Sequence, residues 1–167
     1  DAGAGEQALR ADTHHDIVAV FAVHTDTASS LTSDLRALRA AIDAAGHPAL
    51  FVVDVVASLG AAPFAMDELG ANVVIGASQK GLMVPPGLGF VAVDSVALAV
   101  ASRNPAPRFY WDWGRRSSDL VYRKFCGTPP QSLLMGLDAA LSLIFREGVG
   151  QVIARHRLIA RAVHAAV

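Results

Sequence analysis

The sequence predicts an α/β protein built on a partial, mostly parallel β-sheet with helices on both faces. Three observations lead to this fold class. Short apolar runs rich in β-branched residues recur along the first part of the chain, which is typical of buried strands. A segment whose leucines recur every three or four residues, as in a helix, separates the first two runs. Only 17% of the 167 residues are charged and 53% are hydrophobic, so large apolar faces must be covered, as they are in sheets between helices.

The first strand and the first helix can be placed in order. The strand covers DIVAVFAV, residues 16–23, and the helix follows within SSLTSDLRALRAAIDAAG. Ser30, Thr32 or Ser33 is expected to cap the start of this helix, and Gly46 is expected to end it. The apolar face of the helix consists of four residues at helical spacing: Leu31, Leu35, Leu38 and Ile42.

Three more strands and three more helices follow. The strands are predicted at residues 49–56, 71–78 and 89–94. SVALAVASR then predicts a helix, QSLLMGLDAALSLIFREGVG predicts an amphipathic helix that Gly148 and Gly150 break, and QVIARHRLIARAVHAAV begins another. Residues 104–130 lack periodicity and hold six of the eleven aromatic residues, so we expect a functional or interfacial loop there.

The composition argues against several classes of function. The net charge is −1 and the pI about 6.6, and no run of Lys and Arg suggests a nucleic-acid or membrane-surface partner. No apolar run reaches the roughly 18 to 20 residues that span a membrane. The single Cys126 excludes an internal disulfide and favours a reducing compartment, so we expect a cytoplasmic protein. The adjacent His14 and His15 do not share a helix face, and we predict no metal site.

Two charged residues, Asp54 and Lys80, lie near the carboxyl ends of predicted strands: Asp54 follows the apolar residues 50–53, and Lys80 follows the strand at residues 71–78. Each alone is more typical of a turn former or a solvated surface lysine. Together they would converge at the carboxyl edge of the sheet, where open α/β sheets bind ligands. Burial disfavours the charged form of an amine, which makes a lysine more nucleophilic. A lysine that attacks carbonyls, beside an aspartate that keeps a ring nitrogen protonated, is the arrangement that pyridoxal phosphate requires.

The block around these two residues resembles a known family. FVVDVVASLGAAPFAMDELGANVVIGASQKGLMVPPGLGFVAV is similar to the aspartate-to-lysine block of class V aminotransferases of fold type I, in the alanine/serine–glyoxylate aminotransferase group. Lys80 lies 26 positions after Asp54, and the SQK…PPG ending also agrees with that group. The resemblance implies the pyridoxal-phosphate-binding large domain of fold type I.

Two further segments carry the resemblance. VHTDTASS, residues 23–30, resembles the group's His-x-Glu-Ser/Thr-Ser-Thr-Gly segment and places Thr27 on the hydroxyl that contacts the cofactor. Ser30 stands in place of the segment's glycine. FCGTPPQ resembles a Tyr-x-x-Thr-x-Pro pattern that crosses the dimer interface to the partner's cofactor phosphate. Thr128 fits that pattern, whereas Phe125 occupies the tyrosine position.

The resemblance implies a role for each matching residue. Lys80 would form the Schiff base with pyridoxal 5'-phosphate and act as general acid and base, and Asp54 would pair with the pyridine nitrogen. Gln79 would offer its amide to the cofactor phosphate, with help from Ser78. Thr128 would reach the cofactor of the neighbouring subunit, which implies a homodimer.

The implied activity is the transfer of an amino group from alanine, serine or aspartate to glyoxylate or pyruvate. Residues 1–150 would form part of the large domain, and residues 151–167 would begin the helix that leads to a small C-terminal domain. Because the sequence lacks an initiator methionine, we expect a piece of a longer protein that does not transaminate by itself.

Two alternatives stay open at this point. One is another class V enzyme, a lyase or a desulfurase, for which Cys126 is a candidate nucleophile. The other is a non-catalytic truncated chain that serves only in structure or dimerisation. Arg115 or Arg116 is in addition a candidate for binding a second substrate carboxylate.

Overall fold

The centre of the molecule is a four-stranded sheet. The structure, a computed structural model, describes all residues from Asp1 to Val167. The strands are β1 (Ala19–Val23), β2 (Leu50–Asp54), β3 (Val73–Ala77) and β4 (Gly89–Val93), and they lie in the order β1-β2-β3-β4. The first three are parallel and β4 is antiparallel to β3, which confirms the prediction of a mostly parallel sheet.

Eight α-helices and one 3₁₀ turn accompany the sheet. The longer helices are α1 (Ala2–Ala11), α2 (Leu35–Ala45), α4 (Ser95–Arg103), α7 (Gln131–Glu147) and α8 (Val149–Ala166). The short ones are α3 (Met66–Leu69), α5 (Trp113–Arg116) and α6 (Val121–Lys124), and the 3₁₀ turn covers Phe109–Trp111. None of the helices is both long and apolar enough to cross a membrane.

The start of α2 differs from the prediction. The cap is Asp34, whose carboxylate accepts a hydrogen bond of 2.9 Å from the backbone N–H of Ala37. The hydroxyl of Ser33 donates instead to the carbonyl oxygen of Val23, at 2.7 Å, and accepts no hydrogen bond from the first turn of the helix. Leu31 therefore lies in the preceding loop with 70% of its surface exposed, and its assignment to the helix face was wrong. Gly46 ends the helix with a φ of +62°, as predicted.

One face of the sheet carries the main core. Phe51 and Val53 of β2 are fully buried there, between the sheet and helices α1 and α2. The sequence did not predict α1, because Gly3 and Gly5 weaken its helical propensity. The carboxylate of Asp1 caps this helix.

The opposite face is covered only in part. Val52 and Val73 are buried there under Ala97 of α4, so helices lie on both faces, as predicted. Toward the carboxyl edge of the same face the side chains of Val23, Ile75 and Val91 are exposed. The apolar cover therefore ends before the carboxyl edge of the sheet.

The second half of the chain departs from the prediction in two ways. Residues 104–130 are not a structureless loop, since they contain the 3₁₀ turn, α5 and α6. Gly148, with a φ of +92°, separates α7 from α8 as predicted, but Gly150 lies inside α8 and breaks nothing. Whether α8 leads into a second domain stays a prediction.

Candidate active site

Asp54 is the last residue of β2 and lies at the carboxyl edge of the sheet. It is paired with Val23 of β1 and Ile75 of β3, so all three parallel strands leave the sheet at this edge. The Oδ1 atom of Asp54 accepts a hydrogen bond of 2.7 Å from the backbone N–H of Val56, whereas Oδ2 accepts none within the chain. This turn orients the carboxylate and leaves one oxygen available to another group.

Lys80 lies in the connection from β3 to β4, and Ser78 determines the shape of that connection. Ser78 is fully buried, and its hydroxyl donates to the carbonyl oxygen of Pro85 at 2.9 Å and accepts from the N–H of Leu88 at 3.4 Å. The backbone N–H of Met83 donates to the carbonyl oxygen of Lys80 at 3.0 Å. The loop is thus fixed at several points, while the side chain of Lys80 is exposed.

A backbone contact joins this loop to the loop that follows Asp54. A Cβ atom on Gly81 would lie 2.3 Å from the carbonyl oxygen of Leu59. A Cβ atom on Gly60 would lie 3.3 Å from the carbonyl oxygen of Gly81. Only glycine permits two backbones to approach so closely. The position of Lys80 relative to Asp54 is therefore determined by backbone packing.

Thr27 lies in the loop after β1, which is closed by an isolated bridge between Thr25 and Thr32. Asp26 organises the turn, since its carboxylate accepts hydrogen bonds from the hydroxyl of Ser29 at 2.6 Å and from its N–H at 2.8 Å. These bonds hold the pKa of Asp26 below its ordinary value, the hydroxyl having the larger effect. Thr27 is exposed, and its hydroxyl makes no hydrogen bond within the chain.

His24, at the end of β1, is a buried histidine whose hydrogen bonds are made within the chain. Its Nδ1 atom lies 2.8 Å from the hydroxyl oxygen of Ser58, and its backbone N–H donates to the carbonyl oxygen of Asp54 at 2.8 Å. Burial lowers the pKa of His24, because desolvation disfavours the charged imidazolium. The geometry gives His24 a role in holding β1 against the loop after β2.

Comparison with known proteins identifies the family. The family model described as "Aminotransferase class-V" matches residues 4–167. The chain belongs to the class-V aminotransferases. It is 46% identical to the serine–glyoxylate aminotransferase of Methylorubrum extorquens and 41% identical to the L-aspartate–glyoxylate aminotransferase of Paracoccus denitrificans, over 97% of its own length in both comparisons. The solved alanine–glyoxylate aminotransferase of Nostoc sp. superimposes on 94% of the chain with a TM-score of 0.81 at 27% identity.

The match covers only part of each relative. The chain spans 42% and 41% of the two relatives compared by sequence, and 41% of the solved structure. The fold of the chain is thus the fold of a class-V aminotransferase over the matched part, which confirms the fold type expected from the sequence.

Class-V aminotransferases use pyridoxal 5'-phosphate, which confirms the cofactor expected from the sequence. The residues at the carboxyl edge fit this group in their chemistry. Asp54 has one carboxylate oxygen without a partner, and the side chains of Thr27, Gln79 and Lys80 are exposed and make no hydrogen bond or ion pair within the chain. A carboxylate, a hydroxyl, an amide and an amine are thus available at one edge of the sheet.

Two predicted site residues stand apart from this set. The hydroxyl of Ser78 is already bonded on both sides, and its contact with the cofactor stays a prediction. Thr128 is exposed in the loop between α6 and α7 and makes no hydrogen bond within the chain. Its approach to a neighbouring subunit also stays a prediction.

Sequence reasoning missed the residues that hold this class-V site in shape. Ser58 bonds to His24, and Gly60 contacts Gly81 across 21 residues of chain. No period or motif relates two glycines at this separation, so only the structure connects them. Ser58 and Gly60 belong to the ASLG stretch shortly after Asp54. Their closeness to Asp54 in the sequence was the one feature that could have indicated a role at the site.

Proposed function

We propose that the protein is a pyridoxal-phosphate-dependent aminotransferase that moves an amino group from alanine, serine or aspartate to glyoxylate or pyruvate. The observation that carries the proposal is the placement of Asp54 and Lys80 at one sheet edge, on two loops joined by the Gly60–Gly81 contact. The names of the relatives, serine–glyoxylate and L-aspartate–glyoxylate aminotransferase, support glyoxylate as the acceptor.

Lys80 has the central chemical role. When bound, pyridoxal phosphate supplies a ring that accepts the electron pair of a substrate carbanion. The Nζ atom of Lys80 is the nucleophile that holds the cofactor. Once released, the same amine accepts the proton that leaves the substrate Cα and donates it again, as general base and then general acid. The hydrogen bonds of Met83 and Ser78 anchor the loop that carries Lys80 and so limit the movement of its backbone.

The other residues of the site orient the cofactor and polarise its ring. Oδ2 of Asp54 would accept a charge-assisted hydrogen bond from the protonated pyridine nitrogen, and its negative charge would keep the ring cationic. The Thr27 hydroxyl hydrogen-bonds the cofactor ring, and the Gln79 amide binds the phosphate. Ser78 fixes the loop that carries Gln79 and Lys80, and in this proposal it also helps Gln79 to bind the phosphate.

We also propose a cytoplasmic homodimer in which Thr128 binds the phosphate in the partner's site. The segment around Thr128 exposes large apolar side chains, among them Trp111 at 72% and Val121 at 66%, as expected of a surface covered by a subunit. In this proposal residues 1–150 form part of the large domain, and residues 151–167 lead to a small domain.

The two lysines of the chain, Lys80 and Lys124, provide a matched test. The full-length protein mixed with pyridoxal phosphate should show an absorption band near the visible edge that borohydride removes. Lys80→Ala should abolish the band, while Lys124→Ala should keep it. Mass mapping after reduction should find the label on the peptide that contains Lys80. A band that survives Lys80→Ala, or no band in the unmodified protein, would overturn the proposal.

Half-reactions determine the donor. Alanine, serine and aspartate added singly should bleach the band and release the matching 2-oxo acid, and the fastest of the three is the donor. Release of sulfide from cysteine without a 2-oxo acid would instead support a desulfurase, the alternative that the names of the relatives do not favour.

The role of Thr128 has its own control. Thr128→Ala should weaken retention of pyridoxal phosphate on dilution, whereas Thr13→Ala, at another exposed threonine, should not. If both variants retain pyridoxal phosphate equally well, Thr128 does not bind the cofactor. If sedimentation analysis shows a monomer, no residue of a partner subunit can contribute to the site, and the proposed homodimer is wrong.

A further inference from the structure

The direction of the Asp54 carboxylate depends on the turn that follows it, residues 54–58. The Oδ1 atom of Asp54 accepts a hydrogen bond from the backbone N–H of Val56 at 2.7 Å, and the backbone N–H of Ser58 donates to the carbonyl oxygen of Val55 at 3.0 Å. The side chain and the turn therefore hold each other in shape. A group that fixes both ends of this turn also fixes the direction of the second carboxylate oxygen, Oδ2.

His24 contacts both ends of the turn. Its backbone N–H donates to the carbonyl oxygen of Asp54 at 2.8 Å, and its Nδ1 atom lies 2.8 Å from the hydroxyl oxygen of Ser58. The imidazole packs against the ring of Phe64 at a centroid distance of 5.9 Å, and the carbonyl oxygen of His24 accepts the backbone N–H of Ser33. One residue at the end of β1 thus clamps the turn that follows β2.

The hydrogen bond between the imidazole and the hydroxyl is shielded from water. His24 is 8% exposed and Ser58 is 2% exposed. The other partner of the Ser58 hydroxyl is the carbonyl oxygen of Val55 at 3.5 Å, a long distance for a hydrogen bond. Without His24 the buried hydroxyl would keep one poor partner, which is unfavourable. The clamped turn is therefore preferred over an open one.

The imidazole acts as a neutral group near pH 7. Burial lowers the pKa of His24, because desolvation disfavours the charged form. Two charged residues of opposite sign, Asp34 and Arg36, line the small pocket next to His24. Their charged groups are engaged elsewhere, since Asp34 caps α2 and Arg36 lies 3.8 Å from Glu68. His24 therefore holds the turn by its shape and its hydrogen bonds, and not by charge.

We propose that His24 is a positioning residue for Asp54. The clamp keeps Oδ2 in the direction in which it pairs with the pyridine nitrogen of pyridoxal phosphate, although the imidazole itself makes no bond to the carboxylate. This role at the cofactor rests on the proposed function, whereas the hold of His24 on the turn rests on the distances within the chain. The two parts can be measured separately.

His47 provides a matched control. It is the other buried histidine of the chain and is also 8% exposed. Its Nε2 atom lies 3.3 Å from the carboxylate of Asp12, and its Nδ1 atom accepts the backbone N–H of Ala49 at 3.1 Å. It precedes β2 and so lies at the end of the sheet opposite to Asp54. Phenylalanine at either position removes a buried imidazole, but only the change at His24 removes the clamp.

Amide hydrogen exchange of the full-length protein without cofactor tests the clamp itself. His24→Phe and Ser58→Ala should each speed exchange of the amides of residues 55–61 by about fivefold or more, because one hydrogen bond fewer opposes local opening of the turn. His47→Phe should leave these amides within about twofold. Equal acceleration by His24→Phe and His47→Phe would overturn the proposal, as would unchanged exchange in both clamp variants.

Titration of the same proteins with pyridoxal phosphate tests the effect on Asp54. His24→Phe and Ser58→Ala should each raise the dissociation constant about tenfold, since the charge-assisted hydrogen bond from the ring nitrogen weakens when Oδ2 moves. His24→Asn should restore most of the affinity, because its amide places a polar atom one bond beyond Cγ, as Nδ1 is in histidine. His47→Phe should bind like the unmodified protein. Binding by His24→Asn as weak as that of His24→Phe would contradict a role of the Nδ1 hydrogen bond.

A double-variant cycle shows whether His24 acts through Asp54. With Asp54→Ala present, His24→Phe should change the dissociation constant by less than about twofold, because the group that it positions is gone. A full tenfold loss in that background would mean that His24 affects the cofactor by another route, and the proposal would be wrong.

Failure of this proposal can be distinguished from failure of the proposed function. If the unmodified protein binds no pyridoxal phosphate, the proposed function is wrong, and the exchange of residues 55–61 decides whether His24 holds the turn. If His24→Phe has an altered circular dichroism spectrum, Ser58→Ala takes its place in the exchange, the titration and the cycle with Asp54→Ala. Unchanged exchange and unchanged affinity in Ser58→Ala would then overturn the proposal.

Discussion

Replacing Gly81 by alanine tests the backbone contact that fixes Lys80. The new Cβ would lie 2.3 Å from the carbonyl oxygen of Leu59, so the two loops must separate by at least about 0.7 Å to reach the shortest contact that real Cβ atoms show. The φ of Gly81 is not in the left-handed region, so the effect is steric and not conformational. Overpacking of this kind costs about 1–3 kcal/mol of unfolding free energy.

Two measurements follow from this displacement. Urea denaturation should show the loss of stability, and the melting temperature should fall by about 2–4 °C for each kcal/mol. Because Lys80 precedes the altered residue, it should move with the loop, and a misplacement near 1 Å costs about a hundredfold in rate. Gly89→Ala is the control, since a Cβ there meets no atom within 4 Å. If Gly81→Ala equals Gly89→Ala in both measurements, the contact does not fix the site.

Three further predictions concern stability in urea. Ser78→Ala should lower the unfolding free energy by about 1–3 kcal/mol because two buried backbone groups lose their partner, whereas Ser117→Ala at an exposed hydroxyl should change it by less than about 0.5 kcal/mol. Ser30→Gly should raise it by up to about 1 kcal/mol, since Ser30 has a φ of +59°, and a decrease would contradict backbone strain there. Burial lowers the pKa of His24 below its ordinary value of 6.5, so the unfolded chain takes up more protons as the pH falls below 6.5 and stability is lost in that range. His24→Gln should reduce this loss between about pH 7.5 and 5.5, and an identical pH dependence in both proteins would refute the assignment.

The sheet could be predicted because its strands are continuous apolar runs. All four predicted strands exist, each shorter than its apolar run, and Asp54 ends the second strand two residues before the end of the predicted run. The carboxyl-edge argument for Asp54 and Lys80 needed only that the two strands run parallel in one sheet, as β2 and β3 do.

Other features depend on contacts between distant parts of the chain. Ser33 has the right chemistry for a helix cap, but its hydroxyl donates to the distant carbonyl oxygen of Val23, and the carboxylate of Asp34 accepts the capping hydrogen bond instead. Helix α1 has weak local propensity and is stabilised by burial of Leu9 in the core. The Gly60–Gly81 contact could not be predicted for the same reason, because no local sequence pattern relates the two glycines.

The Gly60–Gly81 contact also bears on how such a site can evolve. Because backbone atoms set the spacing between the two loops, the side chains on them can be exchanged one at a time without moving the others. Substitutions that tune the chemistry then leave the spacing of the loops intact, whereas a single methyl group added at Gly81 would push apart the two loops and displace Lys80 relative to Asp54. Selection would therefore tolerate variation around Lys80 and Asp54 while retaining the two glycines that carry no chemistry of their own.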